Sequence, residues 1–113
     1  MNAAGDVIAP QLRNLRIGNV RRGRSTKVRY TLSEAAAVTF TVQRRIRRGT
    51  SVRWINVPGT LRQQGKTGYN ERRFNATLQG RRLKSGRYRL TAVARDAAGN
   101  RSQPKRVAFR VMR

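Results

Sequence analysis

At 113 residues the chain is long enough to bury one apolar core, and it reads as a single domain. With no cysteine, no histidine and only 4 acidic residues, it can build no disulfide, no thiolate nucleophile, no histidine triad and no zinc site. Its 27 lysines and arginines leave a net charge of +23 at pH 7; a charge of that size opposes compaction and draws polyanions from a distance.

Taken in order, Met1 to Pro10 is small and polar and closes on a proline. It has neither a basic start nor a long apolar run, so the expectation is a flexible lead-in over 1–10 that is neither a secretion signal nor a membrane span. That start fits an intracellular protein, or a domain of a longer exported chain. The domain proper is expected over 11–113. Leu12, Leu15 and Ile17 predict an irregular first strand ended by Gly18, after which Val20 drops into the core. Val28, Tyr30 and Leu32 then alternate with Lys27, Arg29 and Thr31, which is the period of a half-buried strand. After the short connection Ser33-Glu34-Ala35-Ala36, the residues Val38, Phe40 and Val42 face in while Thr39, Thr41 and Gln43 face out. β-branched residues dominate that segment and argue against a helix.

The run Arg44-Arg45-Ile46-Arg47-Arg48-Gly49 breaks the alternation and predicts a protruding, mobile basic loop. Val52 to Val57 carries Trp54 and is expected to stop at Pro58-Gly59, which confines it to an edge or a bulge. Arg62 to Gly68 is polar and reads as loop. Tyr69 to Leu78 resumes as a strand around Phe74, with Glu71, Arg73 and Asn75 outward. Gly80-Arg81-Arg82 turns the chain into the clearest stretch of all. Tyr88, Leu90, Ala92 and Ala94 face one way and Arg87, Arg89, Thr91 and Arg95 the other, before a turn at Asp96-Ala97-Ala98-Gly99-Asn100. Asp96 is suited to cap that turn. Val107, Phe109 and Val111 form the last inward series, interleaved with Arg106, Ala108 and Arg110. About seven short strands at roughly ten-residue spacing, with no helical period, predict an all-β antiparallel β-sandwich.

The strings GRRLKSGRYRLTAVARDAAGNRSQPKRVAFRV and RYTLSEAAAVTFTV give this reading a family. They resemble the immunoglobulin-like or fibronectin-type-III-like repeats of actinobacterial exported and surface proteins, whose pattern is Leu-x-Pro-Gly-x-Tyr-x-x-x-x-x-Ala-x-Asp-x-Ala-Gly-Asn. Leu83, Gly86, Tyr88, Ala94, Asp96, Ala98, Gly99 and Asn100 match, and Ser85 stands where the pattern has proline. The resemblance covers about Leu12 to Val111. It implies an immunoglobulin-like sandwich serving as an accessory or adhesive module, with no catalytic residues and no cofactor. It also implies a structural role for Tyr88, whose hydroxyl would tie the preceding corner to the sheet.

The acids Asp6, Glu34, Glu71 and Asp96 are scattered, so no carboxylate pair or calcium site is expected, and catalysis is not expected either. Genome-wide drift toward arginine codons would explain why only Lys27, Lys66, Lys84 and Lys105 are lysines, but it would not remove the balancing acids. The arginines are therefore the functional candidates. Alternation places Arg87, Arg89, Arg106 and Arg110 on one outer face, with Arg53 bordering it and Arg44, Arg45, Arg47 and Arg48 forming a basic tip beside it. Guanidinium forks suit phosphate and sulfate oxygens. Trp54 and Tyr30 read as core or sheet-covering residues, and Tyr69 as the exposed ring. The expected partners are anionic polymers, either cell-wall phosphate polymers or acidic glycans at a cell surface. The alternatives are nucleic acid held by the same arginine face in the cytoplasm, and a passive spacer within a longer surface protein.

Overall fold

Period-two alternation governs almost every segment, and the backbone resolves it into strands. A computed structural model describes residues 8–113 of the chain. Among them there are ten strands and no helix: β1 Leu12–Ile17, β2 Val20–Arg21, β3 Thr26–Leu32, β4 Ala36–Arg48, β5 Ser51–Gly65, β6 Gly68–Phe74, β7 Thr77–Leu78, β8 Arg81–Arg82, β9 Gly86–Arg95 and β10 Lys105–Met112. Of the expected lead-in, residues 1–7 lie outside the described residues, and Pro10 is buried. Three strands, β2, β7 and β8, are only 2 residues long, so the count exceeds the expected one through short additions.

The strands form a three-stranded sheet, β1-β3-β6, a five-stranded sheet, β2-β10-β9-β4-β5, and the small β7-β8 pair. Pairing is antiparallel except between β2 and β10, where Val20 lies opposite Val111 in parallel. The chain thus leaves one sheet after β1 and joins the other at β2. Asn19 secures this crossing by accepting a 2.9 Å hydrogen bond from the Arg110 backbone N–H.

The two larger sheets face each other across the core. Val28, Tyr30, Leu32 and Phe74 come from one sheet; Val38, Phe40, Leu90, Ala92 and Phe109 come from the other, and all are buried. Two edge-to-face ring pairs cross the gap, Tyr30 with Phe40 at 5.6 Å and Phe74 with Phe109 at 5.8 Å between centroids. Each adds about 0.5–1.5 kcal/mol beyond the area it buries. Tyr88 stacks on Phe109 at 5.5 Å, and its hydroxyl donates to the Lys84 carbonyl at 2.6 Å, fixing the corner before β9.

The sequence expectations differ from the structure in the central hairpin. Arg44 to Arg48 is not a loop: β4 runs through it, and β5 pairs with it down to Ser51 opposite Arg48. Thirteen strand residues at about 3.3 Å each span roughly 43 Å, most of the molecule's 52 Å length. Polar and charged side chains hide this ribbon from an alternation test, because solvent surrounds both of its faces beyond the core. Nor does Pro58-Gly59 end the strand. Pro58, Gly59 and Thr60 lie opposite Thr41 between the pairs Leu61–Phe40 and Val57–Val42. This bulge sits on an edge strand, where a proline removes no ladder bond. Gly59, at φ +107°, adopts the conformation the bulge needs. Arg62 to Gly65, expected as loop, completes β5. In β1 the expected irregularity is a bulge between Arg13 and Arg16, with Asn14 at φ 57°.

At the β9–β10 turn Asp96 acts as the expected cap. It accepts from the Asn100 backbone N–H at 2.8 Å and from the Asn100 side chain at 3.1 Å. Burial pushes its pKa up, but hydrogen bonds from Asn100, the Glu34 carboxyl and the Ala98 backbone outweigh this and hold it below the ordinary value. Glu34 and Asp96, far apart in sequence, are therefore neighbours, contrary to the expectation of scattered acids.

Tyr88→Phe should lower stability by about 1–2 kcal/mol, because it strands the Lys84 carbonyl; a urea midpoint unchanged from the native protein would refute this tie. Burial also pushes the Tyr30 hydroxyl up to about 12, with the Arg72 charge pulling the other way. A raised pKa favours the folded state fully below the unfolded value near 10, and that contribution disappears as pH rises through 12. Far-ultraviolet spectra across this window should show alkaline unfolding in the native protein, and Tyr30→Phe should lose Tyr30's share of it, leaving the share of Tyr88, whose hydroxyl burial also pushes up.

Candidate functional site

Directly paired residues on antiparallel strands project to the same side, so the register decides which arginines share a face. On the five-stranded sheet, Tyr88 with Phe109 and Leu90 with Val107 point into the core. The alternate pairs, Arg87 with Arg110, Arg89 with Ala108 and Thr91 with Arg106, point outward as expected. Gln43 stands beside Arg89 on β4, and Asn56 beside Gln43 on β5. One step along the ribbon, Arg45 pairs with Trp54, and one step further Arg47 pairs with Val52. The outer face therefore gathers Arg45, Arg47, Arg87, Arg89, Arg106 and Arg110.

Arg44, Arg48 and Arg53 do not belong to it. Their partners are Ile55 and Tyr88, Ser51, and Ile46, all of the opposite parity. Arg44 instead caps the end of the core, with its guanidinium carbon 5.9 Å from the centre of the Tyr88 ring. The expectation that Arg53 borders the outer face fails because one residue of register turns a side chain to the other side.

Trp54 is half-buried on the outer face rather than in the core. Arg89 lies over its ring, with the guanidinium carbon 4.4 Å from the centroid. Arg89 Nε also donates to Gln43 Oε1, and the Gln43 side-chain nitrogen donates to Asn56 Oδ1 at 2.8 Å. A chain of contacts thus crosses three strands and holds Arg89 in place. On the same face Asn19, Arg45, Trp54, Arg87, Ala108 and Arg110 line a cavity of about 400 Å³. Tyr30, by contrast, is a core residue, and Tyr69 is the exposed ring on the other sheet.

Charge is distributed unequally between the sheets. On the outer face of β3 and β6, Glu71 lies 3.4 Å from Lys27 and 3.5 Å from Arg29 and accepts from the Tyr69 hydroxyl at 2.7 Å. That hydroxyl bond first, and then Lys27 and Arg29, hold the Glu71 pKa down against desolvation. These two are the ion pairs among the described residues, and neither lies on the five-stranded sheet. There Arg87 and Arg110 stand directly opposite each other, an arrangement of like charges that destabilises.

Against known proteins, no protein-family model and no curated protein sequence matches the chain. Solved structures do. A family 76 glycoside hydrolase from a bovine Bacteroides thetaiotaomicron strain superposes over 93% of this chain with a TM-score of 0.57 at 16% identity. An alkylpurine DNA glycosylase from Pseudomonas fluorescens, bound to DNA containing an abasic-site analogue, covers 92% at 0.49 and 11%. A β-glucosidase from Listeria innocua in complex with glucose covers 92% at 0.39 and 12%. The chain spans 21%, 30% and 16% of those proteins' lengths. At these identities the first likeness speaks for the fold alone, and the other two carry no argument.

The Arg89–Trp54 contact separates a structural arginine from its neighbours. A double-mutant cycle of Arg89→Gln with Trp54→Leu should show a coupling of about 0.5–1 kcal/mol. Arg87→Gln should leave stability unchanged or raise it at low salt. Zero coupling in the cycle would mean that the stacking contributes nothing.

Proposed function

We propose that this protein is a non-enzymatic, immunoglobulin-like module that binds anionic polymers through the outer face of the five-stranded sheet. The observation that carries the reading is the convergence of Arg45, Arg47, Arg87, Arg89, Arg106 and Arg110 on one face without an ion pair there among the described residues. Directly opposed arginines cost stability in the free protein, and a bound polyanion removes that cost. A chain of phosphate or sulfate groups matches a row of guanidinium forks. The immunoglobulin-like assignment draws support from the strand order of the two sheets and from the Tyr88 tie at the corner before β9.

The partners that fit are cell-wall phosphate polymers or acidic glycans, engaged at a cell surface as one module of a longer chain. The Glu34–Asp96 pair does not favour an enzyme, since Asp96 is committed to capping the β9–β10 turn. A second reading, nucleic acid on the same face, is favoured by Trp54, which lines the arginine cavity as a planar ring.

Binding should be measured by titration with duplex DNA, single-stranded RNA, poly(glycerol phosphate) and heparin over a range of salt. For duplex DNA the log-log slope should be about −0.9 per phosphate neutralised, and R87Q/R106Q/R110Q should flatten it by about that amount for each phosphate no longer neutralised. Arg110→Glu is the sharper variant, since it places opposite charges at the Arg87 pair. It should raise the melting temperature while weakening every polyanion. Affinity unaffected by these changes would overturn the proposed face, and retention that vanishes at physiological salt would leave the spacer role instead.

A further inference from the structure

A second arginine cluster lies away from this face, in the cleft between the edge strands of the two sheets. Leu61 of β5, Arg72 and Phe74 of β6, Thr77 of β7, Arg82 of β8 and the Gly23-Arg24-Ser25 turn surround a cavity of about 800 Å³, to which Arg73 also contributes. Among the described residues no carboxylate lines it. Arg72 is the unusual member. It occupies an inward position on β6, between the buried Asn70 and Phe74 and opposite the fully buried Val28. Its Nε is buried, and no group among the described residues accepts a hydrogen bond from it. The residue as a whole is half-buried at the cavity wall; a buried donor atom without an acceptor costs stability, and an acceptor entering the cavity beside this guanidinium would offset that cost. Arg73 is oriented by its own bond, Nε to Ser25 Oγ at 2.9 Å, at the same rim.

We propose that this cleft binds a terminal phosphate or sulfate group, with Arg72 as the inner anchor and Arg24, Arg73 and Arg82 closing around the remaining oxygens. Four guanidinium groups with no opposing acid among the described residues favour an oxyanion over any neutral ligand. The volume leaves room for the sugar or short chain that carries the group. The outer face would take a polymer by its length, whereas this cleft would take a chain end or a free monoester. The proposal does not depend on the polymer reading, because the two sites share no residue.

The test is a titration with sodium phosphate, sodium sulfate and glycerol phosphate at constant ionic strength, with sodium chloride as the reference, following melting temperature and heat of binding. The native protein should show a saturable response to the three oxyanions that chloride does not reproduce. Arg72→Met keeps the apolar stem and should lower affinity roughly ten- to hundred-fold. Arg82→Gln, on an exposed rim residue, should weaken binding with the fold intact, which guards against misfolding of the Arg72 variant. R87Q/R106Q/R110Q should leave the response unchanged. Equal responses to oxyanions and chloride, or a native-like response from a folded Arg72→Met and from Arg82→Gln, would overturn the proposal. A response to inorganic phosphate without one to glycerol phosphate would assign the cleft to the free ion rather than a chain end.

Discussion

Side chains on a strand alternate sides, and every strand here must keep its apolar set turned to one shared interior. The two cross-sheet ring pairs, Tyr30 with Phe40 and Phe74 with Phe109, are where that requirement is met most tightly. Shifting one strand by a residue would drive guanidinium groups between the rings and send Leu90 or Val38 to water. The cost of burying an unpaired charge far exceeds that of exposing a leucine. Register is therefore imposed by the core, and the outer arginine array follows from the same condition.

The alternation also divides the protein's electrostatics. Three of the acids are described, and each is committed: Glu71 to Lys27, Arg29 and Tyr69, and Asp96 with Glu34 to the turn beyond β9. The five-stranded sheet is left to balance its own positive charge. It does so in part by internal contacts, as Arg89 spreads its charge over the Trp54 ring and the Gln43 amide. Among the described residues Arg87 and Arg110 have no such outlet in the register that places them opposite each other. A surface held in this state is less stable than it could be.

Edges carry the remaining tension. β5 and β6 are the exposed margins of the two sheets on the side where the inter-sheet cleft opens. The Pro58-Gly59 bulge interrupts the β5 ladder and discourages pairing with a second chain. In the cleft, Arg72 turns a core-facing position into a charged wall. Edge protection and the charged cleft wall thus fall to different residues of the same margin.

Much of this was legible in the chain itself. The interiors of β3, the first half of β4, β9 and β10 could be read residue by residue, because clean alternation of oil and charge has one low-energy arrangement. The irregularity of β1 and the capping role of Asp96 could be read from local spacing and turn chemistry, and the tie made by Tyr88 from its place at the start of the penultimate strand. What only the tertiary structure decided concerns pairs of distant segments. The ribbon at Arg44 to Arg48 has a single apolar residue, Ile46, and no alternation of oil and charge, so its strand character comes from pairing with β5. The displacement of Arg44, Arg48 and Arg53 from the outer face comes from that register, and the stacking of Trp54 on Arg89 from the meeting of β5 with β9 across β4. Arg72 could have been found by continuing the parity between Asn70 and Phe74, yet its meaning depends on the opposite sheet edge. A strand pattern states which sides a segment has; which partner each side meets is settled by closure of the core.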